Sequence, residues 1–445
     1  MDYKDLILTP IYLIIVYIIA YRIRPKVTNK LTKRYFIPAI TVKLFGAIGV
    51  GCLYFFYYGG GEPGGTGDTF NYFKESSVIH EAILESPTLG LKILFKEAGY
   101  DPEAYKYISR IDWYDTTNNF FVIQTATIFG LLSFNTYTII AIFFALLSFS
   151  GLHALYIALL KIFPKFHKEL ATGVFFVPSL FFWGSGLMKD TICIGALGWA
   201  FWAFHKALIQ KSSIITTSLI LLLSLITIQI VKTYILLCFV PSAILWIFME
   251  NNKKIKNKIL KAVISPILII GGIGIGYIAG TNLTEGSEYD VENVAETAAT
   301  TSNYLERQTA RKAVGARTGS TYTVGKLDGT IQSMITAAPQ AILVSLYRPF
   351  LFEVRNPVML LAAIETSWLL ITTLIIFWKR GFIKTISTIR KNPLLTFCLV
   401  FTLTFAIGVG LTSGNYGTLV RYRTPLIPFF VTLLMILKKT IRRKS

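Results

Sequence analysis

The chain has 445 residues, 53% of them hydrophobic and only 15% charged, with a mean hydropathy of +0.57. Water-soluble domains carry about a quarter charged residues, so this composition excludes an ordinary soluble fold. The formal net charge of +20 would suit a nucleic-acid binder, but the basic residues are spread over short turns between apolar runs, which excludes a nucleic-acid partner.

Those turns, at 22–36, 161–169, 206–211, 250–261, 379–391 and 438–445, hold 26 of the 44 Lys and Arg residues and, of the 24 acids, only Glu169 and Glu250. The rest of the chain has 18 basic against 22 acidic residues. This is the positive-inside asymmetry of a multi-pass membrane protein, and it assigns the basic turns to the cytoplasm of a plasma (inner) membrane. Apolar runs of about 20 residues are long enough to cross a bilayer as helices, the form that satisfies its own backbone there.

In chain order, the first run, 6–21, follows a start without the basic region of a signal peptide, so it reads as a crossing with the N-terminus outside. The second, 37–58, returns outward and opens a polar segment, 59–118, in which 75–96 has the spacing of a surface helix. Further crossings are expected at 137–160, 170–187, 191–209, 213–231, 233–248, 262–281, 357–377, 393–412 and 424–437. The run 120–134 is short for a span, and 334–351 contains Pro339, Arg348 and Pro349, so both read as interfacial or re-entrant. A second outer segment, 282–356, is partly mobile in its Thr-, Ala-, Glu- and Arg-rich portion, 285–330. The expectation is an all-α transmembrane bundle, one domain over 1–445, with about 11 spans and a cytoplasmic C-terminus. No internal repeat is visible, unlike many transporters. Cys52, Cys193, Cys238 and Cys398 lie in apolar runs as small buried side chains, with no disulfide framework.

Three constellations carry possible chemistry. The first is residues 59–68, Gly-Gly-Gly-Glu-Pro-Gly-Gly-Thr-Gly-Asp, followed by Asn71 and Tyr72. Its glycines let the backbone turn sharply and approach a ligand. Asp68, at the mouth of the bundle, is then a candidate general base or divalent-cation ligand. A flexible turn with a solvated carboxylate is the other reading. The second is Pro178 to Asp190, Pro-Ser-Leu-Phe-Phe-Trp-Gly-Ser-Gly-Leu-Met-Lys-Asp. Its Gly-Ser-Gly permits a broken helix, and Lys189 and Asp190 then open the next one, where an anion is favoured. A lysine snorkelling beside Trp183 is the alternative.

The third is a set of outer cations near span ends: Lys232, Arg348, Arg355, Arg421 and Arg423. Charges at such positions are costly and tend to be functional, and Arg suits phosphate oxygens. Together they point to an anionic headgroup such as a pyrophosphate; the alternative is local pairing, for instance of Arg355 with Glu353. Asp112 and Asp115 could join Asp68, although Asp115-Thr-Thr also reads as a helix cap. Arg307, Arg311, Lys312 and Arg317 could clamp a polymer or form a solvated face. The four histidines are scattered, so no His-based metal site is expected, and no Walker loop or dinucleotide fingerprint is present.

With Gly67-Asp68 and Tyr72 after an early span, the Pro178–Asp190 stretch, and a late Arg421-Tyr-Arg-Thr-Pro, the chain resembles bacterial membrane glycosyltransferases of the GT-C type and O-antigen or exopolysaccharide polymerases. The resemblance implies a polyprenyl-linked sugar donor, a glycan or lipid acceptor, and reaction at the outer face. It implies Asp68 as base or metal ligand and Arg348, Arg421 and Arg423 as ligands of the lipid pyrophosphate. Lys189, Asp190 and Lys232 would join them, with Tyr72, Trp113 and Tyr416 stacking on sugar rings. The chain has no clear Asp-X-Asp in its first outer loop and no soluble C-terminal domain, which favours a polymerase-like or ligase-like variant. A transporter or flippase for an anionic lipid or polysaccharide, and a non-catalytic assembly protein, are the other readings.

Overall fold

The computed structural model describes residues 3–61, 64–99, 101–252 and 327–442, with positions 296, 299, 300, 322, 324 and 325. The expected span 262–281, most of the stretch 285–330, and Arg307, Arg311, Lys312 and Arg317 lie outside the described residues. All regular structure described is helical. Nine of the described helices are long and apolar enough to cross a membrane, so the chain has the build of a multi-pass helical membrane protein. It forms two compact units: 1–157, 181–199 and 223–232 make the first, and 158–180, 200–222 and 233–445 the second.

In the first unit, α1 (Tyr3–Val27) and α2 (Lys33–Cys52) match the first two expected spans. Leu6, Ile7, Ile14 and Ile18 of α1 are exposed, as a lipid-facing surface requires. The α2 helix widens into a π-turn, Leu53–Tyr58, and breaks at the glycine-rich loop. There Gly65 and Gly67 have φ of +62° and +74°. A Cβ on Gly67 would lie 2.6 Å from the Tyr54 ring, so both backbone and space demand glycine.

The expected outer segment then folds as α3 (Gly67–Glu85), α4 (Pro87–Leu94), α5 (Pro102–Ile108) and α6 (Thr117–Leu131). The single helix expected over 75–96 is two, because Pro87 lacks an N–H and Ser86 before it is extended. The short run at 120–134 is α6, which packs on α3. Thr116, within the Asp115-Thr-Thr stretch, is its capping residue, and the hydroxyl donates back to the Trp113 carbonyl at 3.0 Å rather than accepting from the helix.

Next, α7 (Tyr137–Ile162) begins beside Asp5, whose Oδ1 accepts the Thr138 N–H at 3.0 Å. In chain order, α8 (His167–Phe175), which belongs to the second unit, α9 (Pro178–Trp183) and α10 (Lys189–Phe204) follow. The crossing expected at 170–187 is therefore not one continuous helix. Pro178 disfavours helical geometry at Val177, and Gly184 and Gly186 end the second piece. The helices α7 and α10 meet at glycines: a Cβ on Gly151 would fall 1.9 Å from the Gly195 carbonyl oxygen. Small residues let membrane helices approach this closely. The following pair, α11 (Ile214–Lys232) and α12 (Tyr234–Asn252), is separated only at Thr233.

In the second unit, α13 (Ile331–Tyr347) packs on α16 (Pro393–Thr412), which also packs on α12. The α13 helix begins a few residues before the expected 334–351 and ends at the extended Arg348. The helices α14 (Pro357–Arg380), α15 (Phe382–Arg390), α17 (Tyr416–Tyr422) and α18 (Ile427–Arg442) complete it, with α18 against α8, α14 and α16. Its core is aromatic: Phe201 and Phe397 lie 5.4 Å apart and Phe401 and Phe429 4.9 Å apart, ring to ring.

Candidate functional site

Each unit holds its own cluster of buried and half-buried charge. In the first, Asp68 sits in the opening turn of α3, where the helix dipole favours a carboxylate. Lys189 is the first residue of α10 and lies within Coulomb range of Asp68, Asp190 and Lys232. Lys232, the last residue of α11, donates to Asp190 Oδ1 at 2.5 Å, with Asp190 fully buried and Lys232 8% exposed. Four residues from three distant parts of the chain thus converge: two carboxylates and two ammonium groups.

A divalent cation held by Asp68 would sit beside an ammonium group. The Lys189 ammonium is already an electrostatic neighbour of that carboxylate, and a second cation there would be repelled. Among the described residues, no group of three or more His, Cys, Asp or Glu is placed to hold a metal.

Two residues of this unit were not singled out in the sequence. Lys43 on α2 is 1% exposed, and its Nζ donates to the Gly184 carbonyl oxygen at the break before α10. Its signal was a lone ammonium inside the apolar run 37–58, since intramembrane charges are rarely idle. Glu75 on α3 is 4% exposed and accepts the Trp113 N–H at 3.1 Å. Burial, the larger cause, and the neighbouring Asp112 push its carboxyl up to about 7, against the Trp113 N–H and Lys74. It follows Asp68 by seven residues and Tyr72 by three, so all three share one helical stripe. Tyr72 is itself a packing residue: it is buried, its hydroxyl donates to Asn119 Oδ1 at 2.7 Å, and its ring lies 4.8 Å from that of Trp113. Of the expected stacking aromatics here, Trp113 is the half-buried one.

In the second unit, Glu353 organises the first of two neighbouring groups. Arg348 donates to it through Nε at 3.1 Å and through Nη2, and the Phe350 N–H at 2.8 Å and the Tyr416 hydroxyl at 2.7 Å donate to it as well. Partial burial alone would raise this carboxyl, but the bonds from Arg348, Phe350 and Tyr416 hold it below its ordinary value. The guanidinium of Arg348 lies 5.2 Å from the Tyr416 ring and 5.9 Å from that of Tyr322, within cation–π range. So Glu353 pairs with Arg348, a local pair of the kind the alternative reading of these cations named; Arg355 is exposed. Tyr416, expected as a sugar platform, is 4% exposed.

The second group centres on Arg423, which is fully buried. Its Nη1 donates to the carbonyl oxygens of Ser345 at 3.2 Å and Arg348 at 2.9 Å, and its Nη2 is 3.7 Å from Glu365 Oε1. Glu365, also absent from the sequence expectations, accepts the Ser179 N–H at 2.7 Å and the Ser179 hydroxyl at 2.6 Å. Arg421 is half-buried on α17, 5.8 Å from the Tyr422 ring. The geometry therefore gathers Asp68, Lys189, Asp190 and Lys232 in one unit and Arg348, Arg423 and Tyr416 in the other. No protein-family model matches the chain, and neither the curated proteins nor the solved structures contain a match to it.

Proposed function

We propose that the chain transfers or polymerises sugars from a polyprenyl-(pyro)phosphate-linked donor to a glycan or lipid acceptor at the non-cytoplasmic face of the plasma (inner) membrane. In this reading Asp68 takes the proton of an acceptor hydroxyl as that oxygen attacks the anomeric carbon with inversion. The bond from the anomeric carbon to the phosphate oxygen breaks, and the electron pair leaves with the phosphate. Lys189 faces the growing negative charge, and Asp190 holds Lys232 beside it. Such preorganised cations act most strongly where water is scarce. Arg348, Arg421 and Arg423, in the second unit, are guanidinium groups of the kind that bind lipid phosphates.

The observation that carries the proposal is the approach of Asp68, from the glycine-rich loop, to Lys189 at the head of α10. A base with a cationic group in its electrostatic neighbourhood is what the reaction requires. The buried Asp190–Lys232 pair at helix ends favours a second reading, a transporter or flippase for an anionic lipid or polysaccharide, because carriers also keep paired charges within the membrane.

Full-length protein in proteoliposomes with a polyprenyl-diphosphate-linked sugar and a glycan acceptor separates the two. Asp68→Asn is expected to abolish product while leaving donor binding intact. Donor movement between leaflets without any product, undiminished in Asp68→Asn, would replace the transferase with the carrier. Absence of both activities would leave an assembly role.

A further inference from the structure

We infer that Ser179 and Glu365 position the Arg423 guanidinium so that its Nε–H and Nη2–H edge seats two oxygens of a single oxyanion. Three observations meet there. Arg423 is fully buried, yet its Nε and Nη2 have no hydrogen-bonding partner among the described residues. Its other nitrogen, Nη1, is anchored on two backbone carbonyls, those of Ser345 and Arg348, which sets the plane of the group. The carboxylate that balances its charge stands at 3.7 Å, beyond hydrogen-bonding distance. That carboxylate is held back because Ser179 engages both its oxygens, the N–H with Oε2 and the hydroxyl with Oε1.

The chemistry follows from the shape of guanidinium. Nε–H and Nη2–H point the same way and match two oxygens of a phosphate or carboxylate, a fork that a spherical ion or a lysine cannot reproduce. A buried N–H pair without an acceptor is costly, so a site that maintains one serves a ligand better than it serves the fold. Glu365 supplies the counter-charge that makes burial of Arg423 tolerable. Ser179 keeps Glu365 from closing on the fork. Glu365 and Ser179 are therefore positioning residues. The inference rests on the transferase reading only in assigning the oxyanion to the lipid-linked phosphate; the fork itself does not depend on that reading.

The test uses full-length protein in lipid nanodiscs, with binding followed by thermal stability and tryptophan fluorescence. One arm titrates inorganic pyrophosphate against chloride in solution, and the other compares nanodiscs with and without a polyprenyl phosphate. Wild-type protein is expected to bind pyrophosphate or the lipid phosphate saturably and to prefer it to chloride. Arg423→Lys should lose about tenfold in oxyanion affinity, the scale of one charge-assisted hydrogen bond, with chloride little changed. Glu365→Gln raises the net charge by one, so a purely electrostatic site would bind every anion more tightly. Positioning predicts the reverse, a fall in the preference for oxyanion over chloride, partly restored in Glu365→Asp.

Ser179→Ala, which keeps both charges, should show the same loss of preference to a smaller degree and covers the case in which Glu365→Gln does not fold. Saturation only with the polyprenyl phosphate assigns the seat to the lipid headgroup, and saturation with pyrophosphate alone assigns it to a free anion. No saturable oxyanion binding in wild type, or tighter binding with unchanged preference in Glu365→Gln, overturns the inference. Oxyanion binding with the expected variant pattern but no glycosyl product would remove the transferase and leave the fork. Product formation with an unaltered preference in Glu365→Gln would do the opposite.

Discussion

Replacing Lys232 with methionine isolates the energetics of the buried pair in the first unit. The two side chains are 8% and 0% exposed and 2.5 Å apart, so neither charge has bulk water to fall back on. Methionine keeps most of the lysine's length and apolar stem while leaving the Asp190 carboxylate without its ammonium. Breaking such a pair from one side costs about 3–5 kcal/mol, whereas replacing both partners with apolar groups of similar size is often nearly neutral. Lys232→Met is therefore expected to destabilise the protein strongly, and Asp190→Leu combined with Lys232→Met to recover most of the loss.

The assay is reversible unfolding in mixed micelles with increasing denaturing detergent, run as a double-mutant cycle. An interaction energy above about 2 kcal/mol between the two sites is expected, against near-additivity for sites that do not touch. A single mutant within about 0.5 kcal/mol of wild type, the range of an ordinary surface substitution, would show that the pair is hydrated and refute the reasoning.

Three further outcomes follow from other parts of the molecule. Because the Glu75 carboxyl is raised from 4.5 to about 7, the folded state holds its proton where the unfolded chain has lost it. Stability should therefore fall as pH rises between about 4.5 and 7, and Glu75→Gln should flatten that slope in pH-dependent melting curves. Tyr416→Phe removes one hydrogen bond to the Glu353 carboxylate and should cost about 1.5 kcal/mol by denaturing-detergent titration, a cost that Glu353→Gln should reduce because the acceptor is then uncharged. Gly151→Leu places a branched side chain where a Cβ already meets the Gly195 carbonyl at 1.9 Å; helix separation should cost at least about 1–3 kcal/mol, seen as a lower melting temperature and reduced folded yield.

Much of the architecture was legible because its signals are local. A run such as 393–412 is apolar over its own length and ends at Pro393 and Ser413, and the helix Pro393–Thr412 follows it closely. The glycines of 59–68 announced a sharp bend, and positive φ at Gly65 and Gly67 is its cause. The break in 170–187 is also local: Pro178 disfavours helix at Val177 within an otherwise apolar run.

Pairing was the least legible feature. The acid on Arg348 was expected among near neighbours and is Glu353, but the acid facing Arg423 is Glu365, on a separate helix. Lys43 meets a carbonyl at Gly184, and Glu75 owes its shifted titration to a turn carrying Asp112 and Trp113.

Composition and charge order alone determined that this is a multi-pass helical membrane protein, because the cost of putting backbone and charge into lipid is paid residue by residue along the chain. Which charges meet was decided only by tertiary structure. Asp68, Lys189 and Lys232 come together because three helix ends bring them within Coulomb range, and Coulomb energy depends on distance in space, which sequence separation does not encode.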